Sequence, residues 1–334
     1  MPRSVLHRIG CLALASLLTA SAYAQSAPHE WKLSTTLGPA YPQGRGGEAW
    51  ARLIRERSGG RLAVKHYPGA TLVQRDPARE FSALRDGTID LAVASASNWG
   101  AQVKELNLIA LPWLFSDTKA VERVLAGEAG TQLAAALQTA GVVPLAAAPD
   151  AFRELATRRA VHAPADLAGQ RLRAQLSPLL TDTLLALRAL PAGMGTVEAR
   201  AALAQGTLDG EVIPVGAFEA SRLYANGVPH LLLWGGCADA LFFAVSRKLW
   251  DGLPESDRDL LRQTARDAAR EAAELARRQS DDDVLARLAR DGAKVTRLTQ
   301  TGKAPFEEKT RGAYDKWAAI VGEDLVRAAE ADAR

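Results

Sequence analysis

The chain has 334 residues, of which 48% are hydrophobic and 24% charged. A sequence this apolar can offset its ordering entropy by burial, which excludes wholesale disorder, and its length suits two domains better than one small core. The formal charge of +3 falls to +1 once Arg3 and Arg8 leave with the segment described next, so no strong basic field remains to draw nucleic acid or an anionic membrane.

Residues 1–24 read as a Sec-type signal peptide. Arg3, His7 and Arg8 precede the apolar run Cys11–Leu18, and Ala22-Tyr23-Ala24 places small residues at the −3 and −1 sites, which predicts cleavage after Ala24. That run is too short to span a bilayer, and no other window reaches the ~18 apolar residues a membrane helix needs. The expectation is an exported, periplasmic protein, without a lipid anchor because Cys11 lies inside the apolar region. Cys237 is the one cysteine left after cleavage; it reads as a small, buried, inert thiol.

Trp31–Leu37 reads as a strand, Gly44–Glu56 as a helix ending before Ser58-Gly59-Gly60, and Arg61–Tyr67 as a second strand alternating with period two and stopped by Pro68-Gly69. A helix at about 76–85 leads through Asp86-Gly87 into Ile89–Ala94, a short apolar strand of the buried parallel type. Repetition of this unit predicts an α/β sheet whose ligands lie at the carboxyl ends of strands. Leu111–Phe115 reads as a hydrophobic loop packed on the core. A second series begins near Val142–Ala146 and includes Thr183–Leu190, Glu198–Gln205 and Leu208–Ile213; Leu241–Val245 then reads as a strand crossing back to the first domain. Two crossings make a hinge. From Glu255 to about Arg290 the composition is helical, interrupted by Ser280-Asp281-Asp282-Asp283, and its apolar positions do not sustain heptads. A long helix packed across both lobes is therefore expected in the C-terminal region.

The most specific signal is Asp166-Leu167-Ala168-Gly169-Gln170-Arg171-Leu172-Arg173, followed by Glu198–Gly210 with Glu198, Ala202, Leu203, Gly206, Asp209 and Gly210 in register. This resembles the "DLKG-x-K-x-R … E-x-x-x-A-L-x-x-G-x-x-D-G" pattern of the DctP-like solute-binding proteins of tripartite ATP-independent periplasmic (TRAP) transporters. The resemblance covers most of residues 31–330. It implies a two-lobed α/β periplasmic binding protein, type II-like, whose interdomain cleft closes on a small organic carboxylate and delivers it to a TRAP membrane permease. No cofactor, no metal and no nucleic-acid partner are implied, and a monomer is expected. The implied domains are 25–150 plus 239–278 for lobe I and 151–238 plus 279–334 for lobe II.

Arg173 matches the family arginine that pairs with the ligand carboxylate, and a planar guanidinium suits a two-pronged charge-assisted pair. Arg153 matches a second family arginine; a salt bridge to Glu154 or another acid is the alternative. Thr196 and Ile213 stand where the family often carries an aromatic residue and a ligand-contacting asparagine. Both departures favour a smaller or more apolar acid over a hydroxyl-rich sugar acid, since a buried polar ligand group without a partner costs ~1–3 kcal/mol. Thr36, Tyr41, Ser95, Asn98 and Trp99 lie at or just after strand ends, the positions that face a cleft, and Trp234 can stack on ligand from the hinge side or pack as a core aromatic. Glu198 and Asp209-Gly210 read as structural support.

After cleavage the histidines are His29, His66, His162 and His230, none of them in a zinc or nucleophile motif, and P-loop, G-x-S-x-G and Rossmann fingerprints are absent from the sequence. A binder rather than an enzyme is expected. The alternatives are a periplasmic sensor for a signalling kinase, or a secreted hydrolase using dispersed acids such as Glu80, Asp90, Glu198 and Asp209.

Overall fold

The computed structural model describes residues 30–334; the signal-peptide expectation for residues 1–24 lies outside them. The chain opens with β1 (Glu30–Ser34), α1 (Pro42–Arg57), β2 (Ala63–Tyr67), α2 (Glu80–Arg85) and β3 (Leu91–Ser95), then α3 (Ala96–Trp99), α4 (Thr118–Ala126), α5 (Glu128–Thr139) and β4 (Val142–Pro149). It leaves this group for β5 (Arg153–Thr157), β6 (Arg171–Arg173), α6 (Pro178–Ala186), β7 (Leu190–Ala192), α7 (Thr196–Ala204), β8 (Gly210–Ile213), α8 (Val215–Ala220) and β9 (His230–Cys237). It returns with β10 (Ala240–Ser246), α9 (Arg247–Asp251) and α10 (Glu255–Arg278), and finishes through α11 (Asp282–Arg290), β11 (Lys294–Arg297), α12 (Gln300–Val321) and α13 (Glu323–Asp332).

Two mixed sheets result, ordered β2-β1-β3-β10-β4 and β11-β9-β5-β8-β6-β7. In the first, β1 pairs in parallel with β2 and β3, while β10 runs antiparallel between β3 and β4. The expected return strand is thus β10, and its first six residues, all apolar, are buried on both faces because helices cover both sides of the sheet. In the second, β6 is parallel to β7 and β8, and β5 is antiparallel to β8 and β9.

Each sheet has apolar packing on both faces. Trp50 of α1 lies edge-on against Phe243 of β10, and Leu261, Ala265, Ala268 and Ala272 of α10 join the same cluster. Small alanines along that face let the helix sit close to the sheet. On the other face Phe81, Trp99, Leu106 and Ile109 pack with Val124 and Leu133, and the second sheet buries Leu155, Leu172, Leu184, Trp234 and Phe306. Leu111 and Phe115 are buried as the loop reading expects.

The helical C-terminal region is interrupted where the polar run predicted it. α10 ends at Arg278, and Asp281 caps α11 by accepting from the Val284 N–H at 3.0 Å. Most of α10 lies on the first sheet's side against α1 and β4, and its end reaches the second, where Gln279 abuts Gly216 of α8. α12 carries the bridging further: it packs on α6 of the second group and on Lys104–Ala110 of the first, and α13 then lies against α4 and α5. Among the described residues, no helix is long and apolar enough to cross a membrane.

The crossings between sheets are 150–152, 238–239 and 279–281. Arg153 ties the first two together. Its guanidinium donates to Asp239 through Nε (3.2 Å) and Nη2, and Nη2 also reaches Asp150 at 3.2 Å. The Asp150 N–H donates to the Asp239 carbonyl at 2.9 Å, so backbone and side chains make one knot at the hinge.

Candidate functional site

A cavity of about 60 Å³ lies between the two sheets, walled on one side by Thr36, Tyr41, Ser95 and Asn98 and on the other by Arg153, Arg173, Thr196, Arg200, Glu211 and Ile213. It sits at the carboxyl ends of β1, β3, β6 and β8, where parallel strands and the following helices leave a crevice. Seven of the nine side chains expected from the sequence therefore meet at one place. Trp99 and Trp234 do not line it. Trp99 is fully buried edge-on against Phe81, and Trp234 is fully buried between Trp113 and Phe306. Their large apolar rings contribute more in a core than on a polar wall, and Trp234 donates its indole N–H to the Arg153 carbonyl at 2.6 Å, bracing the hinge.

The motif around Arg173 holds that residue in place through backbone contacts. Asp166 accepts from the N–H groups of His162 and Ala163 at 2.8 and 2.9 Å, which keeps its carboxyl below the usual range and fixes the turn into β6. Gly169 there has φ +71°, a left-handed conformation that glycine adopts without Cβ strain. Asp209 accepts from the Arg171 backbone N–H at 2.8 Å and from its guanidinium twice at 3.0 Å, tying β6 to the start of β8. Gly210 is a close-approach glycine, since a Cβ there would stand 2.2 Å from the Ala156 carbonyl oxygen. The Asp209-Gly210 pair thus supports the site from behind.

Arg173 itself is 7% exposed. It donates through Nε to the Met194 carbonyl (3.0 Å), through Nη1 to Glu211 (3.1 Å) and through Nη2 to the Thr196 hydroxyl (3.3 Å). A guanidinium has five N–H groups, so each Nη keeps one to offer into the cavity. Burial lowers its pKa, with Arg153 and Arg200 adding to that push and Glu211 opposing it. Arg153 differs: burial works against its charge, but the Asp239 and Asp150 carboxylates more than offset this and hold its pKa above the ordinary value. Its partners are Asp239 and Asp150, not Glu154, which instead accepts from the Gly235 N–H at 3.1 Å. Arg153 both walls the cavity and locks the hinge.

The opposite wall is a fixed polar network. Asn98 donates to the Thr36 hydroxyl (3.4 Å), Thr36 donates to Gln43 (2.7 Å), and the Gln43 amide donates to the Val93 carbonyl (2.7 Å). Ser95 caps α3 by accepting from the Asn98 N–H at 3.3 Å. Ile213 adds one apolar surface where the family pattern often places asparagine.

Sequence reasoning missed Arg200, Glu211, Gln43, Gln175 and Gln279, all of which reach the cavity. Two were legible from periodicity. Glu211 is two residues before Ile213 on β8 and so faces the same side; Arg200 is four residues after Thr196 on α7 and shares its helix face. Arg200 Nε and Glu211 Oε1 are buried polar atoms without a hydrogen-bond partner among the described residues. The acids weighed for a hydrolase do not gather here. Glu80 accepts from the Ser34 hydroxyl inside the first core (2.6 Å), Asp90 accepts from the Lys32 N–H (2.8 Å), Asp209 holds Arg171, and none of these or Glu198 lines the cavity. Cys237 is buried, and desolvation pushes its thiol pKa far above the ordinary value.

Comparison with known proteins identifies the family and matches the fold. The family model for bacterial extracellular solute-binding protein, family 7 (DctP) matches residues 33–320. The C4-dicarboxylate-binding periplasmic protein DctP of Rhodobacter capsulatus is 26% identical over 97% of this chain and 96% of its own length. Among solved structures, a TRAP periplasmic solute-binding protein from Ralstonia eutropha H16 with bound (S)-2-acetolactate superposes with a TM-score of 0.88 at 42% identity, covering 91% of this chain and 98% of that one. One from Sulfurospirillum deleyianum with bound succinate gives 0.82 at 26% identity, covering 90% and 98%. With the family model spanning nearly all of both sheets, this chain belongs to the DctP family of extracellular solute-binding proteins, the periplasmic receptors of TRAP transporters.

Proposed function

We propose that this protein captures one small organic carboxylate in the cavity between its lobes, with Arg173 as the principal anchor. The observation that carries this reading is a buried guanidinium that lines the cavity and is held on three sides by protein acceptors, with one N–H on each Nη unspent. Pre-held donors cost little ordering entropy when the ligand arrives, so more of the charge-assisted pairing appears as affinity. Arg153, Thr196, Ile213, Thr36, Ser95 and Asn98 complete the contact set. The cavity is small, about 60 Å³, and Ile213 gives it an apolar wall, both of which favour a compact acid over a hydroxyl-rich hexuronate. The acetolactate and succinate held by the Ralstonia and Sulfurospirillum relatives are of that size class.

The lobes in this reading are 25–150 plus 239–278 and 151–238 plus 279–334, with α13 reaching back from the second to brace the first. Ligand favours the closed arrangement because only there do both walls contact it. The closed receptor then docks on a TRAP permease after export by a Sec-type signal cleaved after Ala24. It binds and releases without turnover: the weighed acids are scattered outside the cavity, and the acids that do sit there are paired with arginines.

The test is a thermal-shift screen of the purified protein against (S)-2-acetolactate, 2-hydroxy and 2-oxo monocarboxylates, succinate and hexuronates, each beside its uncharged amide. A ligand that binds only the folded state raises the melting temperature with concentration. A rise for small acids and none for their amides is the expected result; equal rises for acid and amide would refute the carboxylate reading.

A further inference from the structure

We infer that the ligand carries a hydroxyl beside its carboxylate, and that Glu211 is the residue that selects it. This rests on the carboxylate-receptor reading and adds to it the chemistry of the neighbouring group. The starting point is an imbalance in the cavity wall. Glu211 is 0% exposed and lines the cavity. Its Oε2 accepts from Arg173, but Oε1 has no donor among the described residues. Arg200 lines the same cavity, and its Nε has no acceptor. A ligand that pairs every one of these groups brings acceptors for Arg200 and the two spare N–H groups of Arg173, and one donor for Glu211.

A plain carboxylate brings only acceptors, so it meets the arginines and leaves Glu211 Oε1 desolvated and unpaired, the costly arrangement for a buried acceptor. A 2-oxo group makes matters worse by setting a second acceptor lone pair near that oxygen. An ammonium donates but cannot accept, and would set a cation beside Arg173 and Arg200. A hydroxyl does both: its proton goes to Glu211 Oε1 while its lone pairs receive an arginine N–H. The neighbouring Ile213 offers no competing polar group to that part of the ligand.

The variant Glu211→Gln reverses the demand. Its amide oxygen keeps the bond to Arg173, which leaves the NH2 where Oε1 stood, so the site offers a donor in place of an acceptor. The experiment is calorimetric titration of the full chain and of Glu211→Gln with a matched set: 2-hydroxybutanoate (both enantiomers), 2-oxobutanoate, 2-aminobutanoate and butanoate. For the wild type, one enantiomer of the hydroxy acid binds at least about tenfold tighter than the oxo, amino and unsubstituted acids, the factor that one unmet buried hydrogen bond carries. In Glu211→Gln that preference over the oxo acid falls to about threefold or less, or inverts, while acids still bind. If the wild type binds the acids within about threefold of one another, or prefers the amino acid, the inference is overturned and the carboxylate reading stands. If none of the set binds while succinate or another acid of the thermal-shift screen does, the hydroxyl inference is overturned and the carboxylate reading stands; if no acid of either set binds, both fall. An unchanged hydroxy preference in a folded Glu211→Gln removes Glu211 as the selecting residue, and the wild-type ratios decide the ligand class even if that variant does not fold.

Discussion

Replacing Arg173 should affect folding as strongly as binding, because its charge is part of a buried pair. Arg173→Met keeps most of the side-chain length but removes every donor. Glu211, fully buried, then has neither the Nη1 hydrogen bond at 3.1 Å nor the opposite charge, and both its oxygens are left without a partner. Stranding one member of a buried ion pair costs about 3–5 kcal/mol, whereas removing both members in favour of apolar groups of similar volume is often neutral. The double variant Arg173→Met/Glu211→Leu should therefore recover most of what the single variant loses. Urea unfolding measures this directly, with the transition midpoint reporting stability as long as the slope is unchanged. The coupling between the two positions should be several kcal/mol. A single variant that unfolds at the wild-type midpoint, or a double variant no more stable than the single, would refute the reasoning.

Two further outcomes follow from buried groups away from the cavity. Burial pushes the Glu80 carboxyl from 4.5 up to about 7, against a smaller opposing effect of the Ser34 hydroxyl. Between those pH values the unfolded chain has lost a proton that the folded chain keeps, so stability falls as pH rises through this window and the loss is complete above it. At 1.36 kcal/mol per pH unit the gap amounts to roughly 3 kcal/mol, so Glu80→Gln should be more stable than wild type at pH 8 by up to that amount and indistinguishable near pH 4.5, as read by thermal melts across pH. Gly210→Ala forces a Cβ against the Ala156 carbonyl at the junction of β5 and β8, and overpacking of that kind costs about 1–3 kcal/mol; an unchanged melting temperature would show that the strands can part without cost.

Much of the fold was legible because the local signals agree with the global arrangement. Period-two alternation and glycine turns gave β2 and β3, and the apolar run Leu241–Val245 gave the return strand β10, which lies between β3 and β4. Arg173 was legible through Asp166, Gly169 and Asp209-Gly210, residues whose backbone bonds hold β6 in place. What escaped is non-local. The partners of Arg153 are Asp150, three residues before it, and Asp239, 86 residues away, and nothing in the local spacing prefers them to the adjacent Glu154. Trp99 comes just after β3, as cleft residues do, and Trp234 stands inside β9 before Gly235-Gly236, yet whether either ring turns inward depends on Phe81, Trp113 and Phe306, which distant segments supply. Glu211 and Arg200 are the exceptions, local rather than distant: they share the strand face of Ile213 at i−2 and the helix face of Thr196 at i+4.

The most direct test of the central claim is calorimetric titration with (S)-2-acetolactate of the wild type and of the double variant Arg173→Met/Glu211→Leu, both confirmed folded by circular dichroism. One acid per chain for the wild type, with binding lost in the variant, is the predicted result; binding of the same stoichiometry and affinity in the variant would contradict the assignment of this cavity and of Arg173 as its anchor.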